Sequence, residues 1–138
     1  MSSSFHYLIM AEHSMLQKKL LASLKGTGLT IGQPKVLDYL KDHDGASQKD
    51  IAYGCHIEPG TLTTLLNRME ETGLVERRML EGNRRSCYVF MTEQGKSKLE
   101  FVTNAFDKLE EEAFRGISAE DREHFMELFQ RIYKNTKE

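Results

Sequence analysis

Apolar residues recur at helical spacing over the first two dozen positions. Phe5, Leu8, Ile9, Met15, Leu16, Leu20 and Leu24 alternate with Glu12, Lys18 and Lys19. The pattern predicts an amphipathic helix that Gly26 and Gly28 end. Pro34 then opens a second helix of about three turns, with Val36, Leu37, Tyr39 and Leu40 as its apolar stripe, until Asp44-Gly45 breaks it. Ser47, with Asp50 three positions on, caps a short third helix over Ile51 and Ala52, which Gly54 or His56 would stop. After the Ile57–Gly60 turn, Leu62, Leu65, Leu66 and Met69 stand at i, i+3, i+4 and i+7, and Gly73 follows as a helix end.

From Leu74 the period shortens to two. Val75, Arg77 and Met79 alternate with Glu76 and Arg78, and Cys87, Val89 and Met91 alternate with Ser86, Tyr88 and Phe90. Two short strands joined through Glu81-Gly82-Asn83 make a hairpin. Thr92 caps a long helix with Leu99, Val102, Phe106, Leu109 and Ala113 on one face. Gly116 stops it, and Ser118 with Asp121 starts a last helix carrying Phe125, Leu128, Phe129, Ile132 and Tyr133. The fold class is mainly α with a small β-hairpin. It is a winged helix-turn-helix with helices at both ends that carry more apolar surface than one small domain needs to cover.

Composition narrows the function classes. A chain of 138 residues with 39% hydrophobic and 29% charged residues suits one folded domain, neither disordered nor divided. No apolar run approaches the roughly 20 residues that span a bilayer, and Met1–Phe5 has no leader pattern, so a cytoplasmic protein without a membrane partner is expected. The net charge of −2 is uneven: residues 1–46 hold 5 Lys/Arg and 4 Asp/Glu, residues 47–90 hold 6 and 6, and residues 91–138 hold 8 and 11. Any basic surface must come from local clusters such as Arg77, Arg78, Arg84 and Arg85.

The short helix, tight turn and second helix place Thr61, Thr63, Thr64, Asn67 and Arg68 where a recognition helix enters the DNA major groove. Their hydroxyls, amide and guanidinium can bond base edges or phosphates, although a polar outer face is also the rule on any surface helix. The hairpin that follows favours DNA, because an arginine at a ribbon tip suits the narrow minor groove. A hairpin merely laced by Glu76, Glu81 and arginine pairs is the plainer alternative.

"LTIGQPKVLDYL", "GASQKDIA", "IEPGTLTTLLNRMEETGLVERR" and "NRRSCYVFMTEQG", in this order and spacing, resemble the MarR family (multiple antibiotic resistance regulators) of winged-helix repressors. The likeness is close from Leu29 to Gly95, and the flanking helices agree in number and length. It implies a homodimer with residues 1–28 and 96–138 as dimerisation helices and residues 30–95 as the winged helix-turn-helix, in a single domain over 1–138. It implies duplex DNA as partner, held by Ser47, Gln48 and Lys49 on phosphate, by Thr61, Thr63, Thr64, Asn67 and Arg68 in the major groove, and by Arg77, Arg84 and Arg85 from the wing. Asn83 stands where the family usually has an acidic residue two positions before the groove-inserting arginine, here Arg85, and Thr64 stands where an arginine is common. The resemblance further implies a ligand-responsive repressor on a palindromic operator. Its small aromatic or amphipathic effector would be lined by Met10, His13, Leu16, Gln17, Tyr39 and Phe106.

The remaining chemistry is thin. His6, His13, His43, His56 and His124 form no i, i+4 pair, so no metal ligand set is expected, and no pattern calls for a cofactor. Cys55 and Cys87 lie 32 positions apart without C-x-x-C spacing, which argues against a zinc site or disulfide. A thiol-sensing regulator and a winged-helix protein-interaction module stay open as alternatives. No nucleophile motif or phosphate loop supports an enzyme.

Overall fold

The computed structural model describes residues 3–79 and 86–138. In chain order it contains α1 (Phe5–Ser23), α2 (Gln33–His43), α3 (Gln48–Cys55), α4 (Pro59–Glu71), β1 (Val75–Met79), β2 (Cys87–Met91), α5 (Glu93–Ala113) and α6 (Ala119–Thr136). The helices begin where short oxygen side chains can hold the first-turn N–H groups. Ser47 Oγ accepts from the Asp50 N–H at 3.1 Å, and Ser118 Oγ does the same for Asp121. α2 instead starts from Gly32 in the left-handed region with Pro34 in its first turn, and the buried Gln33 side chain accepts from the Thr30 N–H at 3.1 Å.

Gly54 stays inside α3, and His56 closes the helix in the left-handed region at φ 55°. The glycine is there for space. A Cβ on Gly54 would fall on the Tyr39 ring, which lies across α3 and stacks on His43 at 4.3 Å. Gly73, at φ 79°, ends α4 with the Leu74 N–H returning to the Met69 carbonyl at 2.8 Å. That turn sends β1 back alongside α4.

β1 and β2 pair antiparallel in the register Val75↔Met91, Arg77↔Val89 and Met79↔Cys87. The segment before α3 extends this ribbon: the Gly45 N–H donates to the Val89 carbonyl at 2.8 Å, and the Val89 N–H to the Ala46 carbonyl at 2.9 Å. A bridge pairs Ser47 with Tyr88, and Asp44 Oδ1 accepts from the Met91 N–H. The hairpin is therefore stitched to the start of the helix-turn-helix. The tip expected at Glu81-Gly82-Asn83, with Arg84 and Arg85, lies outside the described residues.

The chain forms two compact units, Met1–Phe106 and Asp107–Glu138. In the first, Leu37, Leu40, Ile51, Leu62, Leu66 and Met69 are wholly shielded from water and pack with Val75, Val89, Val102 and Ala105. Each such side chain contributes about 1.5–3 kcal/mol by leaving water, so the core fixes the angle between α3 and α4. In the second, Phe114 meets Phe125 edge-on at 5.9 Å, and Arg122 lies over Phe114 while its Nη2 bonds Glu110 at 3.4 Å. Among the described residues no helix is long and apolar enough to cross a membrane.

Candidate nucleic-acid interface

With Leu62, Leu66 and Met69 buried, α4 presents its opposite side outward, and Thr61, Thr63, Thr64, Asn67 and Arg68 are all exposed. A helix advances 100° per residue, so these five, with the exposed Glu70, divide into two neighbouring stripes. Thr63, Asn67 and Glu70 form one, running beside α3 and β1. Thr61, Thr64 and Arg68 form the other, beside α1 and α2.

The first stripe is held at both ends. Near its start, Gln48 Nε2 donates to Thr63 Oγ1 at 2.8 Å, and that hydroxyl donates to the Pro59 carbonyl at 3.0 Å. Gln48 thus links the N-terminus of α3 to the recognition helix, while Ser47 Oγ accepts the cap bond and keeps its O–H to donate, and Lys49 is exposed. At the far end, Arg77 Nη2 donates to Asn67 Oδ1 at 2.6 Å and to Glu70 Oε1 at 2.9 Å. Its Nε donates to the same Glu70 oxygen at 3.2 Å, and its backbone N–H to Glu70 Oε2 at 3.1 Å. These hydrogen bonds, from the guanidinium first and the backbone second, hold the Glu70 carboxyl below its usual range. The Arg77 side chain is 20% exposed, against 54% for Arg78, which bonds Glu76 at 2.8 Å and covers the Phe90 ring at 4.3 Å. Screening by water therefore leaves Arg77 the stronger of the two pairs.

The sequence grouped Arg77 with the wing's basic cluster, but the fold turns it onto the helix. Glu70 went unnoticed. Its signal was available: a carboxylate in the last turn of α4, a glycine turn three residues on, and an arginine at the third position of the strand that folds back.

The second stripe borders an open cleft of about 980 Å³. Four residues expected around an effector line it: His13, Leu16, Gln17 and Phe106, together with Lys35 and Arg68. Met10 and Tyr39 do not. Met10 sits one turn beyond the end of the cleft and is 67% exposed, and Tyr39 is rotated about 100° around α2 from the lining Asp38, onto His43 and Gly54. The Thr64 hydroxyl donates to the Gly60 carbonyl at 3.3 Å on the cleft's α4 wall.

Cys55 is buried beneath α2, its Sγ donating to the Lys35 carbonyl at 3.9 Å, and burial pushes its thiol up to about 11. Cys87 is half-buried in β2. Among the described residues no cluster of His, Cys, Asp or Glu could hold a metal ion.

A helix-turn-helix whose second helix is exposed, polar and braced against a β-ribbon defines a winged-helix regulator. Residues 29–87 match the MarR family model. The chain is 33% identical over 115 residues to the HTH-type transcriptional regulator YwoH of Bacillus subtilis (strain 168), covering 83% of each. It is 31% identical over 104 residues to the transcriptional regulator HosA of Escherichia coli O127:H6, covering 75% of this chain and 77% of that one. MepR of S. aureus, solved as a complex with DNA, superposes with a TM-score of 0.83 at 27% identity, over 97% of this chain and 98% of that one. The chain belongs to the MarR family and is a transcriptional regulator, not an enzyme.

Proposed function

We propose that the protein binds duplex DNA as a homodimer on a palindromic operator, acts as a repressor, and releases DNA when a small aromatic or amphipathic effector occupies the cleft. The observation that carries this reading is the outer face of α4, exposed yet fixed by Gln48 at Thr63 and by Arg77 at Glu70. A helix so braced is preorganised for the major groove, which lowers the ordering cost of binding. MepR, a relative over nearly the whole chain, was solved on DNA. Thr63 and Asn67 face base edges, Ser47, Gln48 and Lys49 a phosphate, and Arg84 and Arg85 the minor groove.

The cleft shares Thr61, Thr64 and Arg68 with α4, so its occupant would touch the flank of the recognition helix directly. Leu16, Ile31, Leu65 and Phe106 offer it an apolar bed, and Lys35 and Arg68 offer cationic ends. An effector that prefers a splayed dimer shifts the population away from the roughly 34 Å separation of successive major grooves.

Selection from a random duplex library tests the reading. The expected product is a palindrome with half-sites about one helical turn apart, bound with an affinity that falls steeply as salt rises. A second reading, a protein-binding winged helix, draws on the pairing of Arg77 with Glu70 and of Arg78 with Glu76, which spends two wing cations internally. Failure to retain any duplex at low salt would favour it.

A further inference from the structure

The clasp at the end of α4 reaches the main chain of the wing as well as a side chain. Val89 stands opposite Arg77 and spends its N–H on Ala46 and its carbonyl on Gly45, so the Arg77 N–H points out of the ribbon, away from β2. Glu70 Oε2 takes that N–H at 3.1 Å, and Oε1 takes Nε at 3.2 Å and Nη2 at 2.9 Å. One carboxylate of the recognition helix thus holds both the backbone and the guanidinium of the middle residue of β1. Asn67 Oδ1 accepts from the same Nη2, so three of the five guanidinium donors are engaged inside the protein. We infer that Glu70 is a positioning residue that locks the wing to the recognition helix through Arg77, so that this acidic side chain on the outward face of α4 strengthens DNA binding.

A free carboxylate beside the major groove would oppose binding, because it repels the phosphates. Glu70 is exposed on the same stripe as Thr63 and Asn67, yet its charge is turned onto an arginine whose side chain is only 20% exposed. Paired bonds between a guanidinium and a carboxylate fix geometry as well as adding energy. Only Arg78 and Met79 follow Arg77 in β1, so the direction in which the ribbon leaves α4 is set at this contact. A wing that enters the minor groove while α4 lies in the major groove needs that direction fixed beforehand, since ordering it on binding costs affinity.

This inference rests on the DNA-binding reading, and the experiment separates the two. A duplex selected by the wild-type protein from a random library is titrated with Glu70→Gln, Arg77→Met and the double variant. The temperature is one at which circular dichroism shows all of them folded, so lost stability alone leaves the affinity unchanged. Glu70→Gln removes a negative charge and tightens binding if charge alone matters. It is expected to weaken binding about fivefold, because a neutral amide holds the guanidinium less strongly. Arg77→Met should do the same, and the double variant should lose no more than either, since all three break one clasp. At saturating protein the variants should lose hydroxyl-radical protection of the minor groove at the flanks of each half-site and keep dimethyl sulfate protection of the major groove at its centre. Tighter or unchanged binding by Glu70→Gln, a double variant that shows the summed loss, or flanking protection that survives in the variants would each overturn the inference. So would a wild type that gives no flanking protection. Should Arg77→Met not fold, the sign of the Glu70→Gln effect and its footprint still decide. Recovery of no duplex at all overturns the DNA reading and this inference with it.

Discussion

Single residues in this chain take their character from what surrounds them, and the two cysteines show it most directly. Cys55 is 5% exposed and its thiol is pushed up to about 11 by burial, with Asp38 adding to the rise and Lys35 opposing it. At neutral pH it is a small apolar core group and not a nucleophile, because the thiolate is the reactive form. In a Cys87→Ser variant, a thiol reagent at pH 8 should therefore label almost nothing until urea unfolds the chain, and then one thiol per molecule. Rapid labelling of the folded variant would overturn this. The raised value also sets a direction for stability. Protons stay on the folded thiol after the unfolded one has lost its own, so the stabilisation is complete below about pH 9 and lost as pH rises to about 11. The sequence showed only that Cys55 has no C-x-x-C partner, and Arg77 was legible only as a charge. Its partner became visible once the Gly73 turn and the strand register were known, since a residue's distant neighbours depend on how elements fold back.

At the scale of elements, caps and periodicity were readable because they are local. Ser47, Thr92 and Ser118 each start a helix where the sequence put one. The third partner of the ribbon, residues 45–47, was not readable. Nothing in its own pattern distinguishes a loop from a strand that pairs with β2 about 40 positions away, because that pairing depends on closing a long loop and not on local sequence. Gly95 belongs to the same lesson. The stretch quoted for the family resemblance ends in Thr92-Glu93-Gln94-Gly95, and the structure gives this spacing a cause. Thr92 Oγ1 donates to the Gly73 carbonyl at 2.5 Å and accepts from the Gly95 N–H at 3.0 Å, drawing the first turn of α5 against the end of α4. A Cβ on Gly95 would fall on the Leu74 carbonyl oxygen, which is backbone and cannot step aside cheaply. Gly95→Ala is expected to destabilise the protein by about 2–3 kcal/mol, read as a lower urea midpoint, despite alanine being the better helix former. A gain of stability would show that α5 does not approach Leu74 this closely.

For the whole molecule, the apolar surface left uncovered bears on assembly. Neither α1 nor α6 has a buried residue. On α1, Phe5, Leu8 and Met15 are exposed, and on α6 so are Phe129, Ile132 and Tyr133. Each of the two units thus carries its own apolar face, and patches of this kind mark association surfaces. The proposed homodimer covers them with a second copy, which also supplies the second recognition helix that a palindrome requires. Phe129 and Ile132 stand one turn apart on α6 outside the buried core, and Phe129 stacks on Phe125 of the same helix at 5.4 Å, so Phe129→Glu with Ile132→Glu should leave helix content nearly unchanged. If a second copy covers them, the two carboxylates meet an apolar partner and association fails. Sedimentation at about 10 µM should then give a dimer for the wild type and a monomer for the double variant, whose operator affinity should fall at least tenfold, about 1.4 kcal/mol. The wild-type Tm should also rise with protein concentration, because a dimer is stabilised by mass action and a monomer is not. A wild type that sediments as a monomer with a Tm independent of concentration would refute the dimer. A double variant that stays dimeric would move the interface off this face of α6.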